Sequence, residues 1–199
     1  MTTPEVTLRR ARPGEAAALA EISRRAFDSD LALGLAPGPG GPPGYASAEW
    51  QARMMRAGRY HAVTVDGALA GGAIVFGMGG GHFELGRFFL DPSHHRRGIG
   101  KRAMALLFAA YPQAQRWTLD TPTWNHRTRA FYEGHGFVAV GERREPGGPD
   151  LVLYERRGQP SAPGAKRPLP PQAGEARGPQ ARAEGANPNK SAPATSPSA

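Results

Sequence analysis

Gly98 and Gly100 lie within the cluster of residues whose spacing points most directly to binding chemistry. Four basic residues surround them: Arg96, Arg97, Lys101 and Arg102. A helix that begins here would present free N–H groups and the positive end of its dipole, which favour negative charge, so four cations conflict with it. A bound phosphate would resolve that conflict, because glycines lack a Cβ and allow close approach to the backbone amides.

The flanking residues predict a strand before these glycines and a helix after them. Phe83, Leu85 and Phe89 alternate with Glu84, Gly86 and Phe88 until Asp91-Pro92, a period-two pattern that is typical of a strand. From Ile99 the apolar residues recur every three or four positions, and Pro112 ends the helix. For a G-x-G motif alone, a solvated basic turn is the better interpretation. The preceding strand and the charge conflict favour an anion site.

Two other phosphate-binding motifs compete for the same residues. GIGKRA fits G-x-G-x-x-A, and Asp120 follows about twenty residues later, as in a dinucleotide-binding fingerprint. In that fingerprint the first glycine follows the strand almost directly, whereas here an arm from Asp91 to Arg97 intervenes. A P-loop is excluded, because no Lys-Ser or Lys-Thr follows a G-x-x-x-x-G.

Two longer motifs carry a family resemblance. ELGRFFLDPSHHRRGIGKRAM resembles the central motif of the GNAT superfamily of acyl-CoA-dependent N-acyltransferases, a strand ending in Asp-Pro and then Gln/Arg-x-x-Gly-x-Gly/Ala. NHRTRAFYEGHGF, from Asn125 to Phe137, resembles the second signature of that family. The resemblance covers roughly residues 5 to 157. His95 departs from the usual Gln or Arg, and Thr128 replaces a commoner Ala.

The resemblance implies an α/β fold in a single GNAT-like domain, residues 1–157. We expect a mixed, mostly antiparallel, twisted sheet of six to seven strands flanked by about four helices. The strand from Arg116 to Asp120 follows a crossover helix, so it should pair in parallel with the strand that ends at Leu90. Splaying of this parallel pair would open a cleft for an extended cofactor.

Acetyl-CoA, as acyl-donor cosubstrate, is the cofactor that the resemblance implies. Its thioester carbonyl would meet backbone N–H groups near Phe88, Phe89 and Leu90. Asn125 would contact the pantetheine or the arm, although a helix N-cap is the simpler role for an Asn there. The expected diphosphate contacts are His95, Arg96, Arg97, Gly98, Ile99, Gly100 and Lys101.

Glu84 and Tyr132 are the candidate catalytic residues. An alkylammonium with a pKa near 10.4 must lose a proton before it attacks, and Glu84 beside the cleft could accept it, directly or through water. An exposed strand carboxylate without a catalytic role is the alternative. Tyr132, seven residues after Asn125 on one helix, could donate a proton to the leaving thiolate. Its alternative is a buried, structural tyrosine, and Phe131 is expected to pack inward.

Composition limits the other classes of function. There is no cysteine, and the six histidines lack metal spacing, so we expect neither disulfides nor a metal site. The chain lacks an apolar run of membrane-spanning length and a leader-like start, which predicts a cytoplasmic protein without membrane contact. Its charge of +8 comes without a nucleic-acid-binding motif, so nucleic acid is not an expected partner. We expect a monomer or homodimer.

Two segments stand apart from the regular pattern. Residues 28–46 hold four prolines and five glycines, which predicts either a disordered insert or a substrate lid that carries Asp28, Asp30 and Tyr45. The two aspartates could favour a cationic amine. Residues 158–199 hold nine prolines and five glycines with Leu169 as the single large aliphatic residue, which predicts a disordered Pro/Ala/Gly-rich tail.

The sequence therefore predicts an N-acetyltransferase that moves an acetyl group from acetyl-CoA to an amine of a small molecule or protein. Two alternatives stay open. One is a non-catalytic acyl-CoA-binding or partner-binding module, and the other is a dinucleotide-dependent enzyme built on GIGKRA.

Overall fold

A computed structural model describes residues 3–34, 36 and 40–158 of the chain. The predicted tail lies outside the described residues from position 159 onward. Within the described ranges, no helix is both long enough and apolar enough to cross a bilayer.

Four α-helices and seven strands form from the described residues, which confirms the predicted fold class. The helices are α1 (Ala16–Ala32), α2 (Ala48–Ala57), α3 (Ile99–Ala109) and α4 (His126–Glu133). The strands are β1 (Val6–Arg10), β2 (Arg59–Val65), β3 (Ala68–Gly79), β4 (His82–Leu90), β5 (Arg116–Pro122), β6 (Val138–Arg143) and β7 (Leu151–Arg157).

All seven strands join one sheet in the order β1-β2-β3-β4-β5-β7-β6. Among the described strands, β4 and β5 are the one parallel pair, as the crossover through α3 predicted. Their pairing covers three positions, from His82 opposite Arg116 to Glu84 opposite Thr118. β4 continues to Leu90 and β5 to Pro122, so the two strands run past their shared ladder and diverge.

The helices cover opposite faces of this sheet. On one face, Leu19 and Ile22 of α1 and Trp50 of α2 pack with Ile74 and Phe89. On the other face lie two clusters, one around Met104 and Leu107 of α3 and Tyr132 of α4, the other around Ile99 and Ala103 of α3. The α1/α2 face and the α3/α4 face therefore have separate cores.

A β-bulge at Gly86 breaks the alternation that the sequence predicted for β4. Leu85 pairs with Val75 and Arg87 pairs with Ile74, which leaves Gly86 without an opposing residue. Phe83 and Leu85 consequently face α3, whereas Phe89 packs on the α1/α2 face. A period-two pattern without a bulge would place all three side chains on one face, but the extra residue reverses the side-chain order after Gly86.

Helix α1 runs further than the sequence predicted. Irregular structure was expected from Asp28, but the helix continues to Ala32, since no proline or glycine occurs before Gly34. Asp28 pairs with Arg24 one turn earlier at 3.1 Å, and the buried Asp30 is also helical. Both aspartates therefore belong to a helix end instead of a loop.

His61 of β2 couples the stability of this fold to pH. Its Nε2 lies 2.7 Å from the hydroxyl of Tyr111, which follows α3, and this contact is buried. Burial, together with Arg10 and Arg59, lowers the pKa of His61 to about 4. Between pH 6.5, the ordinary pKa of a histidine, and about pH 4, the unfolded chain binds a proton at His61 that the folded chain does not bind. The free energy of unfolding must therefore fall as the pH decreases through that window.

We predict that His61→Gln removes this component of the pH dependence, which is on the order of 2 kcal/mol. Chemical denaturation of both proteins between pH 7 and 4.5 measures it, and subtracting the variant cancels the contribution of the other histidines. The stability difference between wild type and variant should change steadily in favour of the variant as the pH falls. Parallel losses in the two proteins would contradict the assignment.

Candidate active site

The candidate site is the space between the diverging halves of β4 and β5. The Asp91 N–H donates to the Ala70 carbonyl oxygen at 2.8 Å, on the β3 side of β4. Successive backbone groups of a strand alternate in direction, so the Phe89 N–H also faces β3, and the N–H groups of Phe88 and Leu90 face β5. Two of the three predicted amides, those of Phe88 and Leu90, thus point toward the opening, and the Phe89 amide points away from it.

The arm between β4 and α3 is made of tight turns. Asp91 accepts from the Ser93 N–H at 3.0 Å, and the residues from Pro92 to His94 form one 3-10 turn. Arg96 has φ 58° and Gly98 has φ 74°, both in the left-handed region that glycine adopts without cost. This backbone path turns the chain sharply before α3 begins.

The amides at the start of α3 have no partner within the helix. Its first intrahelical bond runs from the Arg102 N–H to the Gly98 carbonyl at 3.1 Å, so Ile99, Gly100 and Lys101 present N–H groups at the helix N-terminus. Arg96, Arg97, Gly98 and Lys101 are exposed beside them. Arg102 turns away and donates to the Pro4 carbonyl. Ile99 itself is buried and Gly100 half-buried, whereas Lys101 is exposed. The N–H groups without a helical partner, together with the exposed cations, suit a phosphate in both geometry and charge.

The two glycines of the motif meet different constraints. A Cβ on Gly98 would meet nothing within 4 Å, so its role is the left-handed turn. A Cβ on Gly100 would lie 3.1 Å from the Phe131 ring, so this glycine also allows α4 to approach α3. Phe131, which was expected to pack inward, is partly buried and stacks on Phe88 with ring centroids 5.6 Å apart.

Both ring nitrogens of His95 make hydrogen bonds within the protein, near the end of β4. Its Nε2 lies 3.0 Å from the Leu90 carbonyl oxygen, and its Nδ1 lies 3.1 Å from Arg127 Nη1. Because arginine can only donate, Nδ1 must accept and Nε2 must carry the proton. Burial lowers the pKa of His95, and Arg127 lowers it further, which favours this neutral form. A phosphate contact of the His95 side chain stays a prediction.

A hydrogen-bonded bridge spans the wide end of the opening. Arg127 of α4 donates to both His95 and Asp30, and Asp30 also accepts from Asn125 Nδ2 at 2.8 Å. Asn125 follows β5, and Leu90 ends β4, so these bonds connect the two diverging strand ends with the end of α1. Asn125 Oδ1 also caps α4 by accepting from the Thr128 N–H at 3.1 Å. Its cap role is visible, and its cofactor role stays a prediction.

The two candidate catalytic residues lie on opposite faces of the sheet. Glu84 is the last position of β4 that pairs with β5, so it marks the point where the opening begins. Phe83 and Leu85 face α3, and strand alternation therefore directs Glu84 toward the α1/α2 face. Tyr132 is buried on the α3/α4 face, with its ring 5.9 Å from that of Phe137. Burial raises the pKa of Tyr132, and Asp120 raises it further, so the phenol keeps its proton at neutral pH.

The dinucleotide alternative lacks the fold it requires. That fingerprint belongs to an open, mostly parallel, doubly wound sheet, whereas the described strands here pair in antiparallel fashion apart from β4 and β5. Asp120, the acid that would bind a ribose, instead pairs with Arg143 at 2.7 Å. In the described ranges, no group of three or more His, Asp or Glu side chains could hold a metal ion.

Comparison with known families identifies the motifs described above. The model of the acetyltransferase (GNAT) family matches residues 19–137, which is more than half of the chain. This chain belongs to that family. The match begins within α1 and extends past the end of α4, and it therefore includes the arm, the diverging strands and both candidate catalytic residues.

Solved structures of GNAT proteins share the fold. The ribosomal-protein-S18-alanine N-acetyltransferase of Escherichia coli has a TM-score of 0.62 and 19% identity, and the comparison covers 82% of this chain and all of that one. The PaiA N-acetyltransferase of Thermoplasma acidophilum, solved with coenzyme A, has a TM-score of 0.61 and 16% identity over 77% and 99% of the two chains. YncA of Salmonella typhimurium, solved with acetyl-CoA, has a TM-score of 0.54 and 15% identity over 81% and 99%.

One curated relative is similar in sequence over part of its length. Uncharacterized protein YrkN of Bacillus subtilis (strain 168) is 35% identical over 74 residues, which are 37% of this chain and 40% of that protein. The chain thus matches less than half of that relative.

The bridge that joins Arg127 and Asp30 was not predicted from the sequence. No role was predicted for Arg87 either, whose side chain lies over the Trp50 ring. Arg127 and Asp30 are 97 positions apart, and no local pattern relates them. The one available signal was the departure at position 95, where a histidine replaces the usual Gln or Arg. Asp28 and Asp30, which the lid alternative would offer to a cationic amine, lie in α1 and pair with Arg24 and Arg127.

We predict that Arg127→Met lowers the free energy of unfolding by about 2–3 kcal/mol, because it leaves the Asp30 carboxylate buried without its cation. Asp30→Asn combined with Arg127→Met should recover at least half of this loss, since the double variant no longer buries a charge. Urea denaturation of the two single variants and the double variant gives the coupling energy. Strictly additive losses would contradict a direct interaction.

Proposed function

We propose that this chain transfers an acetyl group from acetyl-CoA to the amine of a small molecule or peptide. The observation that supports this most directly is the opening between β4 and β5, which leads from the amides of Phe88 and Leu90 to the basic N-terminus of α3. Family membership supports acetyl transfer in general. The choice of acceptor is part of the proposal.

The residues present fit coenzyme A at both ends. The N–H groups of Ile99, Gly100 and Lys101, with the exposed Arg96 and Arg97, would hold the diphosphate. The Phe88 and Leu90 amides would stabilise the oxygen that becomes negative when an amine attacks the thioester. When bound, acetyl-CoA supplies the activated acyl group.

Glu84 and Tyr132 would act as proton acceptor and proton donor from opposite faces of the sheet. Glu84, on the α1/α2 face, would take a proton from the acceptor ammonium, because only the neutral amine is a nucleophile. Tyr132, on the α3/α4 face, would donate a proton to the departing thiolate. Burial keeps that phenol protonated, with a pKa above its ordinary value. Acceptor and donor would thus meet in the gap between the two strands.

Two assays test the proposal. Thermal shift with acetyl-CoA, CoA and NADH identifies the cofactor, and release of free thiol from acetyl-CoA in the presence of an amine panel detects transfer. We expect both CoA compounds to stabilise the protein, NADH to leave it unchanged, and at least one amine to release thiol. Stabilisation by CoA with no thiol release would favour the non-catalytic acyl-CoA-binding alternative.

We predict that Glu84→Gln lowers kcat/KM for the amine about 10²- to 10⁴-fold at pH 7. The deficit should shrink as the pH approaches 10, because the neutral fraction of an alkylamine then rises without help from a base. A matched control is Glu155→Gln, which changes a strand carboxylate paired with Arg116. An equal deficit at every pH would remove Glu84 from proton transfer.

A further inference from the structure

Arg87 is a buried cation on the acceptor side of the proposed site. It lies directly after the Gly86 bulge and is 4% exposed. Its guanidinium carbon is 4.0 Å from the Trp50 ring centroid and 5.8 Å from that of Phe27, so it is held among aromatic side chains of α1 and α2. Neither the family motif nor the proposed mechanism gives this residue a role.

The bond that Arg87 makes with the loop before α2 is to a neutral acceptor. Its Nη2 donates to the Pro43 carbonyl oxygen at 3.2 Å. Burial lowers the pKa of Arg87 to about 10, and the Tyr60 oxygen partly offsets this effect. A carboxylate binds a guanidinium more strongly than a carbonyl does, because it contributes opposite charge and two acceptor oxygens. A carboxylate in the place of the Pro43 carbonyl would therefore bind this guanidinium more strongly than the carbonyl does.

The residues from 40 to 46, here called the cover segment, lie over Arg87. A Cβ on Gly44 would be 2.1 Å from Trp50 Cγ, and one on Gly41 would be 2.9 Å from Phe27 Cγ, so both glycines touch the aromatic side chains that surround Arg87. Gln51 Nε2 also donates to the Tyr45 carbonyl at 3.2 Å. Among the described residues, the hydrogen bonds from Arg87 and Gln51 to the cover segment are both 3.2 Å long and end on backbone carbonyls.

Glu84 and Arg87 face the same side of the sheet. Strand alternation directs Glu84 to the α1/α2 face, and the Gly86 bulge returns Arg87 to that face instead of the opposite one. Two to three strand residues separate them, which is about 7–10 Å along the chain. A proton acceptor and a cation at this spacing suit a molecule with an amine at one end and a carboxylate nearby.

We propose that the acceptor is an amine that also bears a carboxylate, as amino acids do, and that this carboxylate replaces the Pro43 carbonyl on the Arg87 guanidinium. This inference depends on the proposed acetyl transfer for the acceptor role, but the binding site itself does not require turnover. The cover segment would then be displaced when the acceptor enters.

Product binding tests this site without catalysis. Titration calorimetry on the full chain with CoA present compares N-acetylated glycine, leucine, phenylalanine, glutamate and lysine with their carboxamides. The wild type should bind at least one acid about tenfold more tightly than its amide. Arg87→Met should reduce that preference to less than about twofold, and Arg87→Lys should keep part of it because the charge remains.

Two controls separate this effect from damage to the fold. Arg53→Gln changes an exposed arginine of α2 and should leave the preference intact. Thermal unfolding of each Arg87 variant checks that it folds, and Arg87→Lys provides the comparison if Arg87→Met is unstable. Equal binding of acids and amides by the wild type, or binding of neither, would overturn the carboxylate site. Acid-selective binding without thiol release would leave it standing and refute only acetyl transfer.

Discussion

The divergence of β4 from β5 is the constraint on which the site depends. A continuous ladder would satisfy every backbone group along both strands and leave no N–H for a substrate. Here the ladder ends at Glu84, and the Gly86 bulge bends β4 away directly afterwards. The same extra residue turns Arg87 toward α1 and α2. One inserted residue at the start of the cleft thus determines which side chains of β4 line each side of it.

An open pair of strands must be held apart at its wide end. The bridge through His95, Arg127, Asp30 and Asn125 does this with charged and polar groups that are largely buried. Such a bridge adds little net stability, since desolvation offsets much of the attraction, but it is costly to break. It therefore specifies geometry more than it strengthens the fold. Because it includes the arm that precedes α3, the bridge also positions the amides proposed to hold the diphosphate.

Local patterns predicted most of the fold, and long-range contacts account for what was missed. Asp66-Gly67, a two-residue hairpin signal in the sequence, joins β2 to β3. Ser47, a favoured N-cap residue, accepts from the Trp50 N–H at 3.1 Å at the start of α2. The bulge was not predicted, because a glycine in a strand permits but does not require one. The arm and Glu84 were located from motif residues, whereas the Asp30–Arg127 pair and the stacking of Arg87 on Trp50 depend on chain folding that no local spacing encodes.

The central claim is that the diphosphate of coenzyme A binds the amides at the start of α3. Backbone ¹H–¹⁵N spectra recorded during titration with CoA, and separately with pantetheine, test it most directly, because pantetheine lacks the diphosphate. The account predicts that the amide signals of Ile99, Gly100 and Lys101 shift and saturate with CoA but stay in place with pantetheine. Saturable CoA binding that leaves these three signals unmoved, or a failure of CoA to bind at all, would contradict it.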